Sequence, residues 1–279
     1  MKGHETLRLR FTGSCSAQEF ERRCSEQDHW YHSYYFTNGF ERRGEYDLGR
    51  DVADYGFPDQ MAGMSVLDIG TGSGWFATYF EQRGADVTTL DSRRYLDFDV
   101  RGRYEPAPLP EGSAPDRLDA EGRPVWHSPV SGGFWIMKDL LGLKARFLNA
   151  RVYDVSPRLF GGRQFDLVFM GSLLMHLRDP IGALMAARSV CRGQLITNAS
   201  LTAGDESGTP TMELINNERD KANWWRPNRA CLSEMLRAAG FGDVDVSRTV
   251  KLTTDVPFTD GQGRSSGVDQ TLYLVHARP

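Results

Sequence analysis

The sequence predicts an α/β fold in which a mostly parallel sheet carries helices on both of its faces. Short apolar runs typical of fully buried strands, such as 66–69 and 165–170, alternate with segments of helical character. The first of these runs leads directly into a turn that contains Gly70, Gly72 and Gly74. Strands that alternate with helices form parallel sheets, and ligands of such sheets bind beyond the carboxyl ends of the strands. We therefore expect the functional site at the edge where this turn lies.

Residues 1–60 precede the first buried strand and are predicted to form an N-terminal cap on a domain of residues 61–279. A helix is expected at 16–27, with Ser16 as its N-cap and Glu19 three residues later. An aromatic stretch at 29–36 follows and ends at the turn signal of Asn38 and Gly39.

The elements of the domain alternate along the remaining sequence. A second strand at 85–90 is followed by a segment rich in proline and glycine at 92–130, which we interpret as an inserted lid because long irregular connections are usually functional. Helices are then predicted at 133–143, 180–190 and 228–239, strands at 150–153, 165–170 and 194–198, and a terminal antiparallel pair at 243–250 and 271–276.

Composition restricts the class of protein. The 279 residues are 40% hydrophobic and 25% charged, as in ordinary globular proteins. The sequence has no apolar run of membrane-spanning length and no secretory pattern, so we expect a cytoplasmic protein. Its four cysteines are scattered and no metal-ligand cluster is evident, so no metal is predicted. The formal charge of −4 gives no general attraction to nucleic acid. The oligomeric state is not indicated.

The spacing of the glycines distinguishes between ligands. In a dinucleotide fingerprint the third glycine would fall where Trp75 stands. The helix expected at 75–83 directs its N-terminal amides at the turn, and Asp91 closes the next strand. A carboxylate there can accept hydrogen bonds from both hydroxyls of a ribose. The alternative is an ordinary helix N-terminal turn beside an unrelated surface aspartate.

The sequence D-I-G-T-G-S-G at 68–74 resembles motif I of the Rossmann-like S-adenosylmethionine (SAM) methyltransferases. The resemblance implies a seven-stranded sheet, with the glycine turn against the amino-acid end of SAM and an acidic residue on its ribose. The cofactor-binding residues that it implies are Asp68, Gly70, Thr71, Gly72, Gly74, Asp91, Ser92, Asp154, Val155, Met170 and Gly171. Asp154 resembles the acid that binds the adenine amino group, or else is only a turn cap. Met170 and Gly171 resemble the position facing the methionine part, or else simply end a strand.

Three further segments narrow the resemblance: W-Y-H-S at 30–33, M-G-S-L-L-M-H-L-R-D-P at 170–180 and N-W-W-R-P-N-R-A-C-L at 223–232. Over residues 28–246, apart from the insertion, they are similar to the group around the wobble-uridine tRNA methyltransferases. Those enzymes hold a carboxylated SAM derivative with the help of a lysine-containing segment. Lys2 is the only lysine here before Lys138, and the sequence shows no counterpart of their RNA-binding addition.

We therefore predict that ordinary SAM donates a methyl group to oxygen, nitrogen or carbon of a small organic acceptor, in secondary metabolism, leaving S-adenosylhomocysteine (SAH). Methylation of a tRNA wobble uridine is the first alternative, and a SAM-binding regulatory protein without catalysis is the second. A nicotinamide dehydrogenase is disfavoured by Trp75.

Candidate residues for the acceptor side carry alternatives as well. His176 is the leading candidate for a general base, and its alternative is a structural histidine. Tyr31 and His32 are further catalytic candidates, predicted to cover the cofactor and contact the acceptor, or else to pack on the core. The substrate-binding candidates are Tyr34, Trp224, Trp225 and Arg226. The last three could instead form a packed connector before the final helix.

Overall fold

The computed structural model describes residues 8–13, 15–27, 29–92, 99, 117–118, 124–125, 132–202, 208–217, 222–259, 265–266 and 269–279. In these residues the helices are α1 Ala17–Cys24, α2 Leu48–Asp51, α3 Trp75–Glu81, α4 Gly132–Leu141, α5 Pro180–Val190 and α6 Arg229–Ala238. Short 3₁₀ turns lie at Val52–Tyr55, Val152–Asp154 and Leu174–His176.

Strands in the described residues form one large sheet and several two-stranded pairs. The large sheet contains β3 Ser65–Ile69, β4 Asp86–Asp91, β7 Arg146–Asn149, β8 Phe165–Met170, β9 Cys191–Ala199, β12 Asp243–Leu252 and β15 Gln270–Arg278. The smaller pairs are β1 Tyr34–Tyr35 with β2 Glu41–Arg42, β5 Arg117–Leu118 with β6 Pro124–Val125, β10 Met212–Leu214 with β11 Trp225–Pro227, and β13 Phe258–Thr259 with β14 Ser265–Ser266.

The large sheet confirms the predicted fold class. Its seven strands lie in the order β12-β15-β9-β8-β3-β4-β7. Neighbours from β9 to β7 are parallel, whereas β15 is antiparallel to both β9 and β12. Because β3, β4 and β8 are parallel neighbours, the residues that follow them meet at one edge of the sheet.

Two hydrophobic clusters cover the two faces of this sheet. On one face the cap and α3 build an aromatic layer, in which the rings of Phe76 and Phe169 are 4.4 Å apart and Tyr55 stacks on Phe57 at 5.3 Å. On the other face α5 and α6 bury aliphatic side chains such as Leu184 and Leu236. Helices on both faces agree with the predicted layers.

One predicted strand is wrong. Residues 150–153 are not a strand, since β7 ends at Asn149 and a 3₁₀ turn covers Val152–Asp154. The Asp154 carboxylate accepts the Arg151 amide hydrogen at 3.0 Å, and this local bond closes the turn. Other predicted elements differ from the structure by a few residues at their ends, as is usual for element boundaries.

The cap is fixed to the end of β12 as well as to the sheet. The Asp47 amide donates to the Thr253 carbonyl at 2.8 Å, and the Asp51 carboxylate accepts the Thr253 amide hydrogen at 2.9 Å. The division into a cap of residues 1–60 and a domain of residues 61–279 stays a prediction. The insertion predicted at 92–130 lies mostly outside the described residues. Within those residues, we find no helix with the length and apolar character that crossing a membrane requires.

Candidate functional site

The glycine turn after β3 requires its three glycines. Gly70, Gly72 and Gly74 all have positive φ, at 77°, 54° and 84°. A Cβ on Gly74 would come within 2.6 Å of the Phe134 ring, and one on Gly70 would come within 3.3 Å of Leu173. Positive φ and these neighbours therefore favour glycine at these positions of the turn that precedes the N-terminus of α3.

Asp91 lies beside this turn at the end of β4. Its Oδ2 accepts the Gly72 amide hydrogen at 2.8 Å, and its Oδ1 accepts the Ser92 amide hydrogen at 2.7 Å. Burial leaves 9% of the residue exposed and raises the pKa of its carboxyl to about 6. Each oxygen keeps further acceptor capacity. The carboxylate is thus held in one orientation, with two acceptors available for a vicinal diol.

Asp68, on strand β3, contacts the turn through Thr71. Its carboxylate accepts the Thr71 hydroxyl hydrogen at 2.6 Å, and the residue is only 1% exposed. Burial, reinforced by the neighbouring charge of Asp91, raises the pKa of Asp68 to about 7. These contacts suit a residue that shapes the turn through Thr71.

The cap contacts the same turn through Ser73. The His32 Nδ1 lies 2.9 Å from the Ser73 hydroxyl, and the Tyr34 hydroxyl donates to the Ser73 carbonyl at 2.9 Å. Burial lowers the pKa of His32 to about 3, so its ring is neutral and a weak base. Tyr34 has no exposed surface. Both side chains therefore support the turn through Ser73, and the predicted catalytic role of His32 and substrate contact of Tyr34 stay predictions.

Tyr31 lies next to His32 in the cap. Its ring centre is 4.7 Å from that of His32 and 5.3 Å from that of Tyr46. Burial raises the pKa of its hydroxyl, so Tyr31 keeps its proton at neutral pH. Aromatic packing accounts for these contacts, and its predicted contact with the acceptor stays a prediction.

His176 follows β8 on a 3₁₀ turn. Its Nδ1 is 3.2 Å from the Ala222 carbonyl oxygen. Because a carbonyl only accepts, Nδ1 carries the proton of the neutral ring and Nε2 is the basic nitrogen. The 3₁₀ turn begins at Leu174. The carbonyl of Met170, at the end of β8, accepts the Thr197 hydroxyl hydrogen at 2.7 Å.

The tryptophan segment lies beside this turn and joins it to β11. The Trp224 indole donates to the Asp99 carbonyl at 2.7 Å, and the Trp225 indole donates to the Arg178 carbonyl at 3.0 Å. Arg226 is 3.5 Å from Glu213 on the paired strand. Both tryptophan residues are half-buried beside the His176 turn, and the predicted contacts of Trp224, Trp225 and Arg226 with the acceptor stay predictions.

The segment after β7 passes beside Asp91. The Ala150 amide donates to the Asp91 carbonyl at 3.3 Å, which places the following turn next to the proposed ribose site. Val155 is buried there, whereas Asp154 is exposed and caps its own turn. A role of these two residues at adenine stays a prediction.

Sequence reasoning missed several residues at this edge. Ser73 is held by both cap contacts, and Asn198 on β9 accepts hydrogen bonds from the backbone and the hydroxyl of Ser172. No sequence signal identifies these partners, because each pair joins segments that are distant along the chain.

Strand order, glycine turn and terminal acid together are the arrangement of a Rossmann-like, SAM-dependent methyltransferase domain. The bare turn and the fixed carboxylate of Asp91 fit the amino-acid end and the ribose of SAM. Residues 40–246 match a family model described as a methyltransferase domain. The chain belongs to this family.

Individual relatives are distant. The chain is 28% identical over 198 residues to a tRNA U34 carboxymethyltransferase of Pseudomonas aeruginosa (strain LESB58), covering 68% of this chain and 49% of that protein. The enzyme of the same name from Idiomarina loihiensis is 26% identical over 191 residues, covering 67% and 48%. The chain thus spans about half the length of these curated relatives. The N-terminal domain of EvdMO1, solved with SAH bound, has the same fold, with a TM-score of 0.57, 17% identity and coverage of 95% and 97%.

Proposed function

We propose that this chain transfers the methyl group of SAM to oxygen, nitrogen or carbon of a small organic acceptor. The observation that carries the proposal is the Asp91 carboxylate, which two backbone amides hold beside a turn with three glycines at positive φ. The Asp91 carboxylate can accept both hydroxyl hydrogens of a ribose, and the backbone of the turn lies beside it.

Once bound, SAM supplies a methyl group on a positively charged sulfur. The protein's task is then to align the acceptor with that group and to exclude water. In this proposal the glycine turn and Asp91 hold the donor, and the backbone of Met170 and Gly171 faces its methionine part. The Nε2 of His176 removes the acceptor's proton as the methyl group arrives.

A small acceptor is supported by charge and by the cap. The formal charge of −4 gives no electrostatic advantage to a polyanion such as tRNA. The cap segment that contacts the turn supplies His32 and Tyr34 and contains no lysine for a carboxylated SAM derivative. Cytoplasmic residence and a place in secondary metabolism belong to the same proposal.

The test is a transfer assay with methyl-labelled SAM. We expect label to enter small molecules of a deproteinised extract from the source organism, and unmodified tRNA in a parallel reaction to stay unlabelled. Label in the anticodon loop of tRNA would replace this proposal with wobble-uridine methylation. Binding of SAM without any transfer would favour the regulatory alternative.

A further inference from the structure

The residue after Gly171 has an unusual backbone. Ser172 has φ 49° and is the one non-glycine residue with positive φ in the part of the chain that the structure describes. An ordinary L-residue populates the left-handed region about 5- to 30-fold less than right-handed conformations. Such an outlier persists only where its surroundings hold it, and these outliers cluster at functional sites.

Asn198 holds Ser172 in this conformation. Its Oδ1 accepts the Ser172 amide hydrogen at 2.5 Å and the Ser172 hydroxyl hydrogen at 3.0 Å. Its Nδ2 donates to the Tyr55 hydroxyl at 3.1 Å, and the Asn198 side chain is fully buried. Because the Asn198 Nδ2 donates to Tyr55, the Asn198 Oδ1 faces Ser172. We call these three residues the Ser172 clamp.

The sheet explains why Asn198 can reach this loop. Met170, the last residue of β8, pairs with Thr197, so β9 extends beyond the end of its neighbour. Asn198 therefore lies alongside the residues that have just left β8. Tyr55 comes from the cap and packs on Phe57 and Phe76, at 5.3 Å and 5.2 Å between ring centres. The clamp thus joins the loop to both the sheet and the cap.

The conformation of Ser172 determines what the next residues contact. Leu173 lies against Gly70, the first glycine of the turn. Its carbonyl accepts the His176 amide hydrogen at 2.9 Å and so starts the 3₁₀ turn that carries this histidine. A change in the φ of Ser172 would redirect both Leu173 and His176.

We propose that Asn198 is a positioning residue for methyl transfer: by holding Ser172 in the left-handed conformation, it fixes the loop that closes one side of the glycine turn and presents His176. This inference rests on the proposed function, because it assigns the loop to the SAM-binding side of the site.

The test compares Asn198→Ala with the double variant Asn198→Ala/Ser172→Gly, using SAH affinity by calorimetry and the melting temperature. We expect Asn198→Ala to weaken SAH binding about 5- to 30-fold, because the alanine cannot hold Ser172 at positive φ. Glycine adopts this φ readily, so the double variant should recover most of both the affinity and the melting temperature.

Ser65→Ala is the matched control. It removes a side-chain hydrogen bond between β3 and β8, with Asp166 at 2.8 Å, at the opposite end of the same strands. It should lower the melting temperature and leave SAH affinity unchanged. If Asn198→Ala does not fold, the SAH affinities of Ser172→Val and Ser172→Gly are compared instead. A β-branched residue adopts the left-handed region poorly, so the valine variant should bind SAH more weakly than the glycine variant.

Unchanged SAH affinity in folded Asn198→Ala, or a double variant no better than the single one, would overturn the positioning role while leaving the proposed function intact. A wild-type protein that does not bind SAH would overturn both.

Discussion

At the scale of single residues, the candidate site contains a carboxylate, Asp91, whose burial disfavours its charged form. Asp91 is buried among apolar strands, and two amide hydrogens compensate part of the cost of ionising it. The amides also fix the direction of its oxygens. A ligand that donates two hydroxyl hydrogens would complete the compensation, so binding and ionisation of Asp91 are coupled.

Asp91→Asn tests this role directly. The Nδ2 of asparagine cannot accept a hydrogen bond, so the side chain cannot reproduce both bonds from the Gly72 and Ser92 amides. It therefore loses its fixed orientation as well as its charge. We expect SAH affinity to fall by about 1.5–3 kcal/mol, the range for hydrogen bonds to charged groups, measured by calorimetry. Asp86→Asn is the control, because Asp86 starts the same strand and forms exposed ion pairs with Arg146 and Arg163 at 2.9 and 2.6 Å. Equal affinity of wild type and Asp91→Asn would remove Asp91 from the site.

The pH dependence of binding follows from the same group. Because the free protein holds Asp91 with a pKa of about 6, SAH must compete with a proton below that pH. We expect full affinity at pH 8 and roughly tenfold weaker binding per unit below pH 6, with the neighbouring Asp68 broadening the onset towards pH 7.

The contribution of Asp91 to the stability of the free protein changes with pH in the opposite direction. A carboxyl whose pKa is raised on folding keeps its proton longer in the folded state, so its contribution to stability is lost as pH rises from about 4 through 6. Comparing the stability of wild type and Asp91→Asn at several pH values isolates this contribution, because carboxyls with lowered pKa values, such as Asp166, are common to both proteins. An affinity that is flat from pH 8 to 5 would contradict the assignment.

His176→Ala tests the general base. The Nδ1 contact with the Ala222 carbonyl leaves Nε2 as the basic nitrogen, so its loss should lower turnover by about 10²–10⁴-fold. SAH affinity should stay near that of wild type. A loss of melting temperature that accompanies the loss of turnover would indicate a structural histidine, and wild-type turnover in a stable variant would exclude it from catalysis.

At the scale of elements, the cap is part of the site's support. The aromatic stretch at 29–36 contacts Ser73 twice, through the His32 ring and the Tyr34 hydroxyl. Sequence reasoning placed both side chains at the acceptor, because aromatic residues and histidines near a motif are typical of substrate contacts. Both side chains are buried, and their predicted contacts with the acceptor stay predictions. Their burial depends on packing between the cap and α3 that no local pattern contains.

Tyr34→Phe measures this support. Removing the hydroxyl leaves the Ser73 carbonyl without its buried donor, so the free energy of unfolding should fall by about 1–3 kcal/mol. Denaturant titration with an unchanged m-value would show that the loss concerns stability alone. Tyr79→Phe is the matched control on α3, where Arg83 lies over the ring at 3.7 Å. Equal losses in the two variants would contradict a specific role of Tyr34 at the turn.

At the scale of the whole molecule, the sheet and the meeting of the glycine turn with Asp91 at one of its edges could be predicted from sequence. The strand at 165–170 and the helix at 180–190 coincide with β8 and α5, since an apolar run and a proline in the first helical turn are strong local signals. The strand predicted at 150–153 was wrong, because a side-chain cap overrode the β character of Val152 and Tyr153. The Ser172 clamp escaped prediction because it joins three separate segments.

Calorimetric titration of the wild-type protein with SAH tests the central claim, that this edge of the sheet is a SAM-binding methyltransferase site. We predict saturable binding of one SAH per chain, displaced by SAM, and no binding of NADH, because Trp75 occupies the position of the third dinucleotide glycine. A titration without heat for SAH, confirmed by the absence of any rise in melting temperature, or saturable binding of NADH, would contradict it.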